Sequence, residues 1–515
     1  MNVALLIIVA FLALAVGLAL LARRGRDMDL EQWTAGGRGF GAIFVFLLMA
    51  GEIYSTFTFL GGAGLVYGSG GAAYYILGYG TLAYILSYWL LPAVWRYCTP
   101  RKLLSQADFF VAKYDSRSLG VIVSVVAVAA MIPYLALQLK GLGIIVSSTS
   151  SGTISATAAV WIGALVLSLY VVASGIHGSA WTAAIKDVLT LSVVVFIGLY
   201  LPIHYFGSIG AMFHQVQDAK PGFAALKGDQ LSPVWFSSTV LLTALGFYMW
   251  PHTFGSALTA RNEDVFRRNA IFMPLYQLLI AFVLLVGFVA VLRLPGLGES
   301  ETDLALLGIS QRAFPDWFVG LIGSAGMLCA LVPGSMLLIA SATIVARNVY
   351  RGLNPHASDA TVTTLTKLLV PVVALGAVAF VFAGGQTIVT LLLLGYALVT
   401  QLFPALLWSL VRPGFVTRPG AIAGIVVGVG VVAAMTFSGA TPGSSTTLDA
   451  LVGGLPAWLA DLNLGVVALG VNVVVTAAVS AGTRGSAPVD DRPVAADEPR
   501  FARTGEPARQ RVRQA

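Results

Sequence analysis

The stretch FLLMAGEIYSTFTFLGGAGLVYGSG, residues 46–70, decides the fold. It is long and apolar enough to cross a bilayer, yet Glu52 lies inside it and four glycines interrupt it. The glycines are Gly51, Gly61, Gly62 and Gly64. Irregular backbone at membrane depth is tolerated only where protein buries it or where it lines a watery cavity. In secondary transporters such breaks mark the place where substrate and coupling ion bind. The stretch therefore indicates a solute carrier and predicts where its site lies.

Composition excludes an ordinary soluble domain. Hydrophobic residues make up 57% of the 515 residues and charged residues only 10%, whereas a soluble domain carries about 25% charged residues. Apolar runs of about 20 residues recur along the chain, and each predicts a transmembrane helix. We therefore expect an all-α polytopic membrane protein. Thirteen spans are predicted, at 3–22, 40–67, 72–95, 118–147, 155–174, 183–205, 235–258, 270–292, 317–345, 364–382, 387–410, 420–437 and 457–480.

The charge pattern predicts how the chain lies in the lipid bilayer. With the N-terminus outside, 24 of the 30 Lys and Arg residues fall in inner segments and four fall in outer loops. Inner loops carry the excess of positive charge in membrane proteins. We therefore expect a multi-pass plasma-membrane protein with a cytoplasmic C-terminus. The net charge of +7 reflects this asymmetry, so it predicts no nucleic-acid partner.

The remaining segments are short. Residues 104–114 predict an interfacial or cytoplasmic helix, since they are too few to cross the membrane. Residues 1–480 form one predicted transmembrane domain. The tail 481–515 is rich in Pro, Arg, Asp and Glu, so we expect it to be disordered. The two cysteines are far apart and indicate no disulfide framework.

A second interrupted span lies at 235–258, where the sequence reads GFYMWPH over 246–252. Pro251 removes a backbone donor and clashes with the preceding turn. The broken spans are the second and the seventh, and a shift of five spans inverts the topology. Paired broken helices in two inverted halves are a pointer to a binding site at the membrane midplane. We therefore predict inverted repeats at about 40–205 and 235–410.

Several segments together resemble the sodium:solute symporter family. They are FLGGAG at 59–64, PYLALQLKGLG at 133–143, SGIHGSAWTAAIKD at 174–187, WPHTFGSALTARNEDVFRRN at 250–269, and GYALVTQLFPALLWSL with RPGAIAGIVVG within 395–428. The resemblance implies a LeuT-type fold of thirteen spans, with a five-plus-five inverted repeat and discontinuous helices. GEIYSTFTFLGG and QLKGLG look most like the branch that carries small monocarboxylates such as pyruvate, lactate, acetate and propionate.

A carboxylate substrate needs positive potential, which the N-terminal ends of half-helices supply. Both breaks offer such ends, with hydroxyl groups at the first and aromatic side chains at the second. These aromatics can form an apolar wall or a gate for a short alkyl chain. The candidate substrate-binding residues are Tyr54, Ser55, Thr56, Thr58, Gln138, Lys140, Phe247, Tyr248, Trp250 and Gln401.

Ionisable residues inside spans cost about 2.5–3.5 kcal/mol each at the bilayer centre, so they are functional candidates. Lys140 is predicted either to balance the charge of the carboxylate or to pair with Glu52. Glu52 itself can hold a cation or accept a proton. Lys186 and Asp187 open the predicted sixth span near the inner surface, where they form an interfacial ion pair or take part in coupling. His252 is predicted to be structural or gating, and with Glu52 and Asp187 it is a candidate for proton coupling.

The resemblance also implies a sodium site formed by the carbonyl groups of Gly51 and Tyr54, with a third contact near Cys329. The pair of hydroxyl residues that completes the family's sodium site corresponds to residues 332–333 here, which are Val and Pro. Ser335 is the nearest residue with a hydroxyl that could substitute. Hard cations prefer oxygen ligands, so a proton, or a lysine charge that replaces the ion, rivals sodium as the coupling charge. No resident cofactor is expected.

Other functions remain open beside the carboxylate carrier. A carrier of another solute would take an amino acid, a sugar or a vitamin. A sensor is disfavoured because only about 35 polar residues follow the last span, and paired broken helices favour a carrier over a channel. An enzyme is the least favoured class, because the sequence contains no phosphate loop, nucleophile elbow or metal-ligand cluster. The sequence predicts nothing about the oligomeric state.

Overall fold

The computed structural model describes residues 2–484, except 26–27, 227–230, 355, 385, 441–452 and 455. The predicted tail 481–515 lies outside the described residues beyond residue 484. The helices are α1 Val3–Arg23, α2 Leu30–Ala35, α3 Ala42–Ile53, α4 Gly62–Ser69, α5 Tyr75–Cys98, α6 Gln106–Tyr114, α7 Arg117–Thr149, α8 Ala156–Phe206, α9 Ile209–Ala219, α10 Pro233–Gly246, α11 Pro251–Leu258, α12 Asp264–Leu278, α13 Ala281–Arg293, α14 Ala305–Ala313, α15 Asp316–Ile344, α16 Arg351–Leu353, α17 Asp359–Ala383, α18 Ile388–Val399, α19 Phe403–Val411, α20 Arg418–Phe437, α21 Ala457–Ala460 and α22 Leu464–Gly482.

The all-helical prediction is confirmed, and each predicted span coincides with a helix or with a broken pair of helices. In the described part of the chain, ten helical stretches are long and apolar enough to cross a membrane. Two of them, Phe57–Cys98 and Ala156–Phe206, each contain parts of two predicted spans. The last span begins at Leu464, seven residues later than expected. The predicted short helix at 104–114 is α6, and Ser105 caps its first turn.

The sixth predicted span begins earlier than the sequence suggested. Helix α8 runs through 51 residues, and its one internal break is Gly175, with φ 56 and ψ −154. A side chain there would meet the backbone oxygen of Trp33 at 2.8 Å, so glycine is required both for the conformation and for the close approach. The helix resumes at residue 176 rather than 183. Lys186 and Asp187 therefore lie well inside the span and not at its opening.

The first break lies between α3 and α4. Tyr54, with φ −85 and ψ 77, ends α3, and a π-helical turn at Phe57–Gly61 leads into α4. The hydroxyl of Thr58 donates to the carbonyl groups of Ile53 at 2.7 Å and Ser55 at 3.1 Å. The last carbonyls of a helix lack partners within it, so the Thr58 hydroxyl supplies a hydrogen-bond donor to the carbonyl of Ile53, the last residue of α3.

The second break lies between α10 and α11. A 3-10 turn at Phe247–Met249 follows α10, and Trp250 is extended, with φ −65 and ψ 128. Pro251 then occupies the first turn of α11, where its missing N–H costs nothing because that position has no intrahelical partner. Both predicted breaks are present. Helix α15 packs against α1, α7 and α8 beside them, whereas α20 and α22 pack mainly against each other.

Candidate functional site

Glu52 joins the two broken spans. Its carboxylate accepts hydrogen bonds from the hydroxyls of Thr253 and, at 2.9 Å, Ser256, both on α11. The side chain is 2% exposed, and Nε2 of His252 lies 4.0 Å from it. Tyr134 of α7 donates to the Glu52 backbone carbonyl at 3.4 Å. The first break is thus attached to the second through a buried acid and two hydroxyls.

The expected pair between Lys140 and Glu52 is not formed. Lys140 lies on α7 six residues beyond Tyr134, which is about 9 Å further along the helix. Its ammonium instead contacts Asp303 at 2.8 Å and the carbonyl of Gln386 at 2.8 Å. Asp303, which is 2% exposed, also accepts from the backbone N–H of Ile388 at 3.1 Å. This cluster, which we call the Asp303 latch, ties the loop before α14 to α7 and to the start of α18.

The side chain of Lys186 contacts the backbone of the first break. Its ammonium donates to the carbonyl oxygens of Gly51 at 3.1 Å and Tyr54 at 3.2 Å. Its third contact is Oδ1 of Asp187 at 2.9 Å, and the Lys186 side chain is fully buried. The hydroxyl of Tyr276 donates to the same Asp187 oxygen at 2.9 Å. The two carbonyls expected to hold sodium are therefore hydrogen-bonded to a lysine.

The other expected sodium contacts supply little oxygen. Val332 packs beside the break, since a side chain at Gly51 would lie 3.2 Å from its Cγ1. The hydroxyl of Ser335 donates to the Val332 carbonyl at 2.6 Å and lies 2.7 Å from the Ser179 hydroxyl. The thiol of Cys329 lies 3.4 Å from Thr190. Sodium, as a hard cation, prefers oxygen ligands, so these residues do not fit it.

One face of α7 contacts both breaks. Tyr134 and Gln138 are four residues apart and therefore share a face. Oε1 of Gln138 accepts from the backbone N–H of Thr56 at 3.3 Å and from its hydroxyl at 2.8 Å. The ring of Tyr134 lies 4.8 Å from that of Trp250 in the second break. The structure thus brings predicted residues from three spans to one place.

Aromatic rings surround the second break. Trp250 lies 5.2 Å from Tyr396 of α18, where Gly395 leaves room for its ring. Phe247 lies 5.5 Å from Tyr84 and 5.1 Å from Tyr248. All these rings are buried. The three predicted aromatic residues of this break, Phe247, Tyr248 and Trp250, therefore lie close together.

Several buried polar atoms at the breaks have no hydrogen-bond partner among the described residues. They are Nε2 of Gln138 and the hydroxyls of Tyr54 and Tyr84. Leaving such a group unsatisfied costs about 1–3 kcal/mol, so a concentration of them needs an explanation. A polar ligand or water that binds between the breaks would provide one.

Two of the predicted substrate-binding side chains already have hydrogen-bond partners within the protein. The oxygen of Ser55 accepts from the backbone N–H of Phe57 at 3.2 Å, within the break itself. Nε2 of Gln401 donates to Ala397 at 3.0 Å and to Gly465 at 3.3 Å. Asn472 of α22 donates to the Gln401 side chain at 3.1 Å. The Gln401 amide therefore bonds towards α22 rather than towards either break.

A cavity of about 30 Å³ opens next to the Glu52 contacts. His252 and Ser256 line it, together with Thr34 of α2 and Met336 and Thr343 of α15. This volume is enough for about one water molecule. Water can therefore lie beside the residues that hold Glu52.

Several residues that complete the site are absent from the residues predicted from the sequence. Thr253 and Ser256 are three apart on α11, a spacing that places both on one helix face, and this signal was available. Tyr276 and Asp303 carried no such signal, because their partners lie 89 and 163 residues away.

Comparison with known proteins gives concordant results. The family model described as the sodium:solute symporter family matches residues 33–428. The chain is 58% identical over 484 residues to a Bacillus subtilis protein named uncharacterized symporter YhjB, covering 94% of this chain and 98% of that protein. It is 28% identical over 503 residues to a monocarboxylate transport permease protein of Rhizobium johnstonii, covering 95% and 98%. Its fold resembles a substrate-bound Na⁺-coupled sialic acid symporter, with TM-score 0.75, 17% identity and coverage of 95% and 99%.

Proposed function

The chain belongs to the sodium:solute symporter family, and from this we propose that it carries small monocarboxylates such as pyruvate, lactate, acetate or propionate together with a coupling cation. The observation that carries the proposal is the α7 face, where Gln138 contacts the first break and Tyr134 contacts the second. Nε2 of Gln138 is an unpartnered buried donor within the described residues. A carboxylate is the acceptor that such a donor favours.

The surroundings suit a short acid rather than a large polar solute. The rings of Trp250, Tyr134 and Tyr396 offer apolar surface for an alkyl chain. The similarity to a protein named monocarboxylate transport permease supports the same substrate class.

Transport would follow from rearrangement about the two breaks. On one side of them, the Asp303 latch holds a loop against α7 and α18. On the other side, Thr253 and Ser256 hold α11 to Glu52, next to the small cavity. Release of the latch would open the site to one side of the membrane, and separation of α11 from Glu52 would open it to the other. Alternating access requires that the site is never open to both sides of the membrane at the same time.

Uptake into proteoliposomes tests the proposal. Radiolabelled pyruvate and acetate are offered with sodium and proton gradients imposed separately, and we expect accumulation above the level of empty liposomes. Unlabelled lactate and propionate should compete, whereas amino acids, sugars and vitamins should not. Competition by one of these other solutes, with no competition by any monocarboxylate, would replace the substrate class and leave the carrier assignment intact.

A further inference from the structure

We propose that Lys186 is a built-in cation, whose ammonium occupies the place of a sodium ion at the first break so that this site binds no sodium. The inference rests on the chain being a cation-coupled carrier, though not on which solute it carries. Its basis is the position of one fully buried side chain among three oxygen atoms.

The ammonium is fully satisfied where it lies. A lysine head group has three N–H donors and no acceptor. The three acceptors around Lys186 are the carbonyls of Gly51 and Tyr54 and Oδ1 of Asp187, at 3.1, 3.2 and 2.9 Å. These distances lie within the range of ordinary N–H···O hydrogen bonds. The lysine therefore uses the oxygen atoms that an ion would need.

The site also balances its charge without an ion. Asp187 is buried beside Lys186, and its carboxylate is the only acidic group within 4.0 Å of the ammonium among the described residues. Tyr276 donates to the same carboxylate oxygen. A sodium ion added here would be a second positive charge a few ångströms from the ammonium, and such repulsion is strong in a buried, low-dielectric site.

Among the described residues, α15 beside the break offers no side-chain oxygen that is free to replace the lysine contacts. Val332 of α15 presents a methyl group towards Gly51. The Ser335 hydroxyl donates back to its own helix and contacts Ser179. If the ammonium were removed, however, two carbonyls and the Asp187 carboxylate would be left together. Such a set of buried oxygens, with one net negative charge, favours a hard cation.

Sodium binding to the purified protein tests the proposal, with radioactive sodium measured in the absence of any organic solute. We expect Lys186→Ala to bind one sodium ion more per chain than the wild type does. Arg351→Ala is the control, since it also removes a cation that pairs with an aspartate, here the exposed Asp359, and it should bind the same number of sodium ions as the wild type. Equal or weaker sodium binding by Lys186→Ala would overturn the proposal.

A second measurement keeps the test decisive if Lys186→Ala does not fold. The difference in Tm between sodium chloride and potassium chloride of equal concentration should be the same for the wild type and for Asp187→Asn, because a sodium ion at this site would need the Asp187 carboxylate. A saturable, sodium-specific rise in Tm that Asp187→Asn abolishes would contradict the inference. Neither readout depends on solute uptake, so failure of the monocarboxylate assignment would leave this result interpretable.

Discussion

The hydroxyl of Ser256 donates a hydrogen bond of 2.9 Å to the carboxylate of Glu52, across 204 residues of sequence. Ser256 lies in the second half of one broken span, and Glu52 lies at the end of the first half of the other. The same hydroxyl also contacts the carbonyl of His252 in its own helix. The two breaks are therefore directly attached to each other by side chains.

Loss of this attachment should destabilise the protein. Ser256→Ala leaves a buried carboxylate with one hydroxyl donor fewer, and we expect a cost of about 1–3 kcal/mol in the free energy of unfolding. Thr259→Val is the control, since Thr259 directly follows α11 and its hydroxyl donates to the Ser256 carbonyl at 2.7 Å rather than to Glu52. Thermal unfolding in detergent compares the two. An equal fall in Tm would show that the contact between the spans contributes nothing beyond helix packing.

Gln138 and Gln401 should respond differently to the same change. Gln138→Leu removes the unpartnered amide donor at the α7 face, and we expect the KM for the carried monocarboxylate to rise about tenfold, as for one lost hydrogen bond to a charged group. Gln401→Leu removes contacts with Ala397, Asn472 and Gly465, none of which lies at a break. It should lower Tm and leave KM unchanged. Initial uptake rates over a range of solute concentrations measure both, and a KM effect confined to Gln401→Leu would contradict the proposed site.

The Asp303 latch predicts a non-additive pair of substitutions. Lys140→Met leaves the buried Asp303 carboxylate without its cation, and we expect a cost of about 1–3 kcal/mol. Adding Asp303→Asn removes that charge and keeps an oxygen for the N–H of Ile388, so the double variant should regain part of the lost Tm.

The exposed ion pair between Arg351 and Asp359 supplies the control for the latch. Arg351→Met should change stability by less than about 1 kcal/mol, because exposed pairs contribute little. If the double variant melted no higher than Lys140→Met alone, the interaction between Lys140 and Asp303 would not be energetically coupled.

Two glycines of α4 provide a steric test of the same loop. A side chain at Gly64 would lie 2.8 Å from the backbone oxygen of Thr302, whereas one at Gly68 would lie 3.4 Å from a methyl group of Thr302. Gly64→Ala should therefore displace the loop that carries Asp303 and cost about 1–3 kcal/mol. Gly68→Ala should be tolerated, because its neighbour is the end of a side chain. Tm and uptake rate measure both variants, and an equal response would contradict the close packing at Thr302.

Sequence reasoning succeeded where the cause is local. A proline inside a span, Pro251, breaks a helix through its own chemistry. Both predicted breaks are present, although the first falls at Tyr54 and not at one of the glycines. It was less successful with Lys186, because a single Gly175 of positive φ lets α8 continue almost without a gap. The loop between two predicted spans therefore turned out to be helix, and the lysine lies deeper than expected.

Partners that are distant in sequence could not be predicted in the same way. The acid that pairs with Lys140 lies 163 residues away in a polar loop, where nothing in the local pattern distinguishes Asp303 from its acidic neighbours. The sequence correctly indicated that residues 332–333 lack hydroxyl groups. Only the three-dimensional arrangement shows which positive group lies next to the Gly51 and Tyr54 carbonyls instead.

The neighbouring positions of Lys186 and Asp187 in the chain bear on biosynthesis. A lone charge at the centre of an inserting helix costs about 2.5–3.5 kcal/mol. Because these two residues are consecutive, they can neutralise each other as soon as their own helix has formed, before Tyr276 has left the ribosome. The nascent segment can thus enter the translocon as an electrically balanced unit.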